Sequence, residues 1–265
     1  MHDPTEDPLQ VLLWGESGTG KTVRAHTFPR TRTLDFDGGM LSVYWAIKKG
    51  IIDKDPEEII SARIREGEET DERGPYGFIK RPGALDRATD QIDEWVEDFD
   101  SWDTLIIDSA TVLNEMCMLK GMQGMKSMGL SESFNKAQTA KMYIPRIQDY
   151  GAAKNMFKQF IDWVRSIDKN LIVICHQYED TTASGIVRMY QPLLIGSLRE
   201  EISKDFDEVW QSFVGEDKKG NRQFMIRTVG SKKYKCKSRL GCLDDEEAAF
   251  SYAEIMKKVE AFWGS

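Results

Sequence analysis

Apolar residues along this chain form two kinds of pattern, short unbroken runs and longer stretches that recur at helical spacing, and the two alternate. Val11 to Trp14, Thr104 to Ile107 and Leu171 to Cys175 predict strands buried on both faces. Thr33 to Asp37 reads as another strand, ending in two carboxylates and stopped by Gly38 and Gly39. Between these runs, Val23 to Phe28 before Pro29 predicts a helix. From Leu85 onward, Ile92, Trp95, Val96 and Phe99 predict a second, and Phe157, Phe160, Ile161, Val164 and Ile167 a third, from about Asp149. The alternation predicts an α/β fold with a mostly parallel central sheet flanked by helices. In the final third, Val209 to Val214 and Gln223 to Val229 flank a polar, glycine-bearing turn and predict a C-terminal β-hairpin. A closing helix should turn Tyr252, Ile255, Met256, Val259 and Phe262 inward.

Two stretches carry no single period. The charged segment 53–82, punctuated by Gly67, Gly74, Pro75 and Gly77, reads as a partly exposed excursion. Met116, Met118, Met122, Met125 and Met128 read as adaptable packing. The 265 residues are expected to form one domain, 1–265. A net charge of -8 limits any nucleic-acid contact to a local patch. Cys117, Cys175, Cys236 and Cys242 show neither zinc spacing nor a disulfide framework. An acidic start without an apolar core, and no run of membrane-spanning length, place the chain in the cytoplasm.

The most specific local signal follows the first apolar run. Gly15, Glu16, Ser17, Gly18, Thr19, Gly20, Lys21 and Thr22 spell G-x-x-x-x-G-K-T between a predicted strand and a predicted helix, the setting of a phosphate-binding loop. Glycines let backbone N–H groups close around phosphate oxygens, Lys21 neutralises charge, and Thr22 offers a hydroxyl to Mg²⁺. The ligand implied is a nucleotide with Mg²⁺.

Three further sites extend this chemistry. Asp108 ends the run Leu105-Ile106-Ile107, as a Walker B carboxylate does when it orders Mg²⁺; the same aspartate can cap a following helix. Asp35 and Asp37 compete to position the attacking water, and Asp37 is preferred because it stands nearer the carboxyl end of its strand, where ligands bind; a turn-capping aspartate is the plainer alternative. His176 and Gln177 follow the run Leu171 to Cys175, and either can sense a γ-phosphate or satisfy a loop carbonyl. Between Lys218 and Arg239, nine lysines and arginines occur with no acidic residue. That strip can track a phosphate backbone with Phe224 and Tyr234 stacking on bases, supply cations to a neighbour's ATP, or be a solvated hairpin.

In order, the phosphate-binding loop, Asp35-Phe36-Asp37-Gly38-Gly39, Ile106-Ile107-Asp108-Ser109, Gln148-Asp149-Tyr150-Gly151, Cys175-His176-Gln177 and Lys237-Ser238-Arg239 resemble the phage nucleotide-binding ATPases of RecA-like type, some of them described as single-strand annealing proteins of the Sak group. The resemblance runs from Leu12 to Gly241. It implies a RecA-like P-loop core, ATP hydrolysis with Mg²⁺, single-stranded DNA as partner, and a homo-oligomer with ATP at the subunit interface. It places Asp37 where those proteins carry a catalytic glutamate one methylene longer, and Gln177 where a glutamine links ATP to a DNA-binding loop. By the same resemblance Tyr178 to Tyr190 is that loop, and Lys237 and Arg239 are a K-x-R element reaching across an interface. If phage-encoded, the protein works in the host cytoplasm. The rival readings are a nucleotide-gated interaction protein and a small-molecule kinase. A GTPase is disfavoured because Asn135-Lys136-Ala137-Gln138 lacks the aspartate that guanine recognition needs.

Overall fold

The computed structural model describes residues 7–66, 82–127, 145–217, 219–248 and 251–264, of which 124–127 are described by their backbone. Asn135 to Gln138, Lys218 and residues 67–81 of the charged excursion lie outside them. Six strands run parallel: β1 (Gln10–Gly15), β2 (Thr31–Asp35), β3 (Ile59–Arg63), β4 (Thr104–Asp108), β5 (Asn170–Thr181) and β7 (Glu208–Glu216). Antiparallel additions are β6 (Val187–Pro192) on β5, β8 (Arg222–Arg227) on β7, and the short β9 (Glu246–Glu247) on β8. The order across the sheet is β3-β2-β4-β5-β1-β7-β8-β9. The helices are α1 (Lys21–Ala25), α2 (Met40–Lys48), α3 (Ala84–Glu97), α4 (Ala110–Ser127), α5 (Ile147–Arg165), α6 (Leu198–Asp205) and α7 (Tyr252–Trp263).

The unbroken apolar runs are explained by layers on both faces of the sheet. Because strand side chains alternate, Leu12, Trp14, Leu105, Ile107, Leu171 and Val173 enter one core, packed with residues of α3, α4 and α5. Val11, Leu13, Ile106, Ile172 and Ile174 enter the other, with Phe28 and with Ile255 and Val259 of α7. A third, small cluster lies under α2, where Met40, Val43 and Ala46 meet Ile52 and Ile59.

Several expectations are corrected. The excursion contains the edge strand β3, which pairs with β2 from Thr31 opposite Ile59 to Asp35 opposite Arg63. Periodicity missed it because its burial is irregular. The second strand ends at Asp35, not Asp37, and α2 follows the glycines. Met116, Met118, Met122 and Met125 belong to α4, with Met116 and Met122 buried, and Met128 lies outside the described residues. In α3 the inward face is Ala84, Ala88, Ile92 and Trp95, whereas Val96, and Phe99 past the helix end, are exposed. Phe262 of α7 is also exposed. The run Leu171 to Cys175 is only the buried half of β5, so His176 and Gln177 lie within the strand and residues 178–190 turn back as an antiparallel hairpin with β6. Among the described residues no helix is long and apolar enough to cross a membrane.

Candidate nucleotide-binding site

The loop between β1 and α1 is held in shape by backbone that only glycine tolerates. At Gly15, φ is 157° and an added Cβ would stand 2.1 Å from the Ser212 carbonyl oxygen on β7. At Gly20, the residue before α1, φ is 83°, in the left-handed region. Neighbouring strands complete the scaffold: Ser212 Oγ donates to the Thr19 carbonyl at 2.7 Å, and Thr19 Oγ1 donates to the Glu16 carbonyl at 2.8 Å. α1 begins at Lys21 and has five residues, fewer than the expected Val23 to Phe28 run would give.

Inside the loop, the buried Lys21 donates from Nζ to the carbonyls of Gly15 at 2.9 Å and Glu16 at 2.6 Å. Burial lowers its ammonium below the ordinary lysine value, opposed by the charges of Asp108, Asp37 and Glu16. Thr22 Oγ1 donates to Asp108 Oδ2 at 2.7 Å, across the β5 strand that separates β1 from β4. Burial pushes the Asp108 carboxyl up to about 6, with the Thr22 hydrogen bond acting the other way. A Cβ on Gly39 would come within 3.2 Å of Asp108 Oδ2 and Thr22 Oγ1, so the glycine keeps the approach to this oxygen pair open. A hydroxyl and a carboxylate are the hard oxygen donors Mg²⁺ prefers, with phosphate and water completing its shell. Among the described residues no group of three or more His, Cys, Asp and Glu could hold a metal ion.

Asp35 and Asp37 have separate places. Asp35 is buried, accepts from Arg63 at 2.8 Å and from the Gly38 amide at 2.5 Å, and builds the turn after β2. Asp37, just past the strand, is carried to the cleft by its amide, which donates to the Asp108 carbonyl at 3.2 Å. Its Oδ2 stands 2.9 Å from His176 Nε2. Burial by itself would raise the Asp37 carboxyl, but hydrogen bonds from His176 and Ser109 outweigh it and hold the group below the ordinary aspartate value. An ionised Asp37 accepts, so the His176 ring nitrogen facing it donates.

Lys21, Thr22, Asp37, Asp108 and His176 line one cleft of about 570 Å³ together with Ser17, Gly18, Trp45 and Phe224. Gln177 does not line it. Its Nε2 donates to Glu16 Oε1 at 3.2 Å, and its Oε1 accepts from Gln211 Nε2 at 2.9 Å. Lys237 and Arg239 are also away from this chain's own phosphate-binding loop. Backbone bonds tie Lys237 to Val209 near the start of β7, and the Arg239 guanidinium pairs with Asp207. Sequence reasoning passed over Trp45 and the supporting Gln211 and Ser212. The sequence signal for Trp45 is faint: Leu41, Tyr44 and Trp45 recur at i, i+3 and i+4 after the glycines, which marks an apolar helix face, and only the structure leaves that face exposed.

A family model described as an AAA domain matches residues 7–240. No curated protein matches the chain. A solved structure, the flagellar accessory protein FlaH from Methanocaldococcus jannaschii, is 13% identical, with 86% of this chain and 80% of that chain covered and a TM-score of 0.36.

Proposed function

Because the chain belongs to the AAA domain family, we propose that it is a Mg²⁺-dependent ATPase that acts on single-stranded DNA in phage recombination or strand annealing. We further propose that it works as a homo-oligomer with ATP at the subunit interface. The observation that carries the nucleotide half of this reading is the 2.7 Å contact of Thr22 with Asp108, in the cleft that also holds Lys21, Asp37 and His176.

Lys21 would leave the Gly15 and Glu16 carbonyls for the β/γ-phosphates, exchanging two neutral acceptors for charged ones. Thr22 and Asp108 would hold the cation; when bound, Mg²⁺ offsets the negative charge of the phosphates. Asp37, ionised, would orient the attacking water and accept its proton, with His176 fixing the carboxylate's direction. Gln177 would couple the loop to its surroundings through Glu16. Lys237 and Arg239, distant from their own loop, would serve a neighbour's nucleotide. The DNA half is supported by the basic strip and by Tyr234 within it.

Phosphate release, measured with and without single-stranded DNA, tests the reading: stimulation that weakens with added salt is expected. Turnover indifferent to DNA overturns the DNA half. A second reading, a nucleotide-gated interaction protein with little hydrolysis, is favoured by α2, whose Leu41, Tyr44 and Trp45 are exposed beside the cleft. Slow, DNA-independent turnover would select it.

A further inference from the structure

The phosphate-binding loop has two sides, and the cleft described above uses one. On the other, Glu16 to Thr19 wall a second cleft of about 380 Å³, faced by residues of β6, β7, β8 and the basic strip. Its chemistry is different. Tyr190 and Tyr234 stack with centroids 5.2 Å apart and planes 10° from parallel. The Arg227 guanidinium lies 3.8 Å from the Tyr234 centroid and 4.6 Å from that of Phe213. Rings and a delocalised cation gathered in this way form a surface on which a nucleobase stacks whatever its identity.

The rim supplies charge. Backbone bonds stitch the basic strip to β6, Tyr190 N donating to the Lys233 carbonyl at 2.7 Å and Lys235 N to the Tyr190 carbonyl at 3.3 Å. Lys232 and Lys233 are exposed on that strip, and Arg222 lines the cleft. Glu16 is the only carboxylate among the described lining residues, and its side chain is engaged by Gln177. In a chain of net charge -8, stacking rings beside a local set of cations match a flexible polyanion whose bases are free.

We propose that this second cleft takes a base of single-stranded nucleic acid against the outer face of Tyr190, which Tyr234 backs, with the strand's phosphates running along residues 232–235. The proposal deepens the single-strand reading above and rests on it. The cleft is also wired to the nucleotide. Glu16 accepts from Gln177, Gln177 from Gln211, and Gln211 from Arg227, while the Glu16 carbonyl is the one that Lys21 holds at 2.6 Å. When Lys21 turns to phosphate, Glu16 loses a partner, and the change is shared along this chain. By linkage, a base bound beside Arg227 alters nucleotide affinity by the same factor.

The test uses the full chain with Mg·ATP and a labelled oligothymidylate carrying 5-iododeoxyuridine. Photocrosslinks are expected at Tyr190 or Tyr234. Tyr190→Ala should weaken strand binding about tenfold, and Tyr190→Phe should stay within about twofold of the parent. Thymidine monophosphate at equal base concentration should not compete; full competition would make this a mononucleotide site and overturn the strand assignment. Crosslinks confined to other residues, or undiminished binding by Tyr190→Ala, would overturn the cleft while the single-strand reading stands. No strand binding by the parent chain would remove both.

Discussion

The two clefts share a wall, yet they are built on different physical plans. The nucleotide cleft gathers charged groups: Lys21 and Asp108 are buried, and hydrogen bonds hold the Asp37 carboxyl below the ordinary aspartate value. Most of its parts come from the turns at the carboxyl ends of β1, β2 and β4, each short in sequence, and His176 of β5, Trp45 of α2 and Phe224 of β8 complete it. The second cleft is aromatic and amphipathic, and it exists only where β5, β6, β7, β8 and the strip after them converge. The difference teaches that phosphate chemistry here is set by backbone shape close to the strands, whereas stacking chemistry is set by the meeting of distant segments.

Lys21 is the position where the two clefts should part most sharply. Lys21→Ala should lower ATP turnover by about 10² to 10³-fold, read by phosphate release, while leaving the stacked tyrosines in place. Normal turnover in that variant would mean that the nucleotide cleft does not work as described.

Acid should also act on the nucleotide side. His26 is buried beneath the loop, with Nδ1 2.8 Å from the Thr22 carbonyl and Nε2 3.0 Å from Thr33 Oγ1, and burial lowers its pKa to about 4. The unfolded chain, with histidine near the ordinary value, binds the proton more readily between pH 4 and about 6.5. Stability is therefore full above about pH 6.5 and falls as pH drops toward 4, by on the order of 3 kcal/mol for this group. The urea midpoint should decrease from pH 7 to pH 5, and in His26→Gln that decrease should shrink; an unchanged pH dependence would refute the assignment.

The shared wall offers a third approach. Gly15→Ala places a methyl 2.1 Å from the Ser212 carbonyl oxygen and should cost about 1–3 kcal/mol, seen as a lower thermal midpoint. Because β7 braces both clefts, nucleotide affinity should fall as well. The smallest effect is expected at Gln211→Leu, which removes the link between Gln177 and Arg227. Nucleotide affinity measured in the presence of oligothymidylate should change about fivefold, and hardly at all without it.

Much of this was legible in the residues alone, for reasons that differ by element. Gly15 to Thr22 could be read because a cradle of backbone amides demands glycines at fixed spacing. β1, β4 and the first half of β5 could be read because a sheet covered on both faces needs unbroken apolar runs. The edge strand β3 escaped, since one open side removes that demand. His176 and Gln177 were placed beyond their strand because β5 turns polar on leaving the core, although its hydrogen bonding with β6 continues to Thr181.

The alternation of strands and helices, the phosphate-binding loop and the acid at the end of β4 are written in the order of residues, because local backbone demands and burial leave marks on neighbouring positions. Only the tertiary structure separated Asp35, spent on Arg63 and a turn, from Asp37 beside His176. It also turned Gln177 toward Glu16 and gathered Tyr190, Arg227 and Tyr234 around one space. Those assignments depend on which strands lie side by side, and pairing across the sheet brings together residues whose separation along the chain carries no period to reveal it.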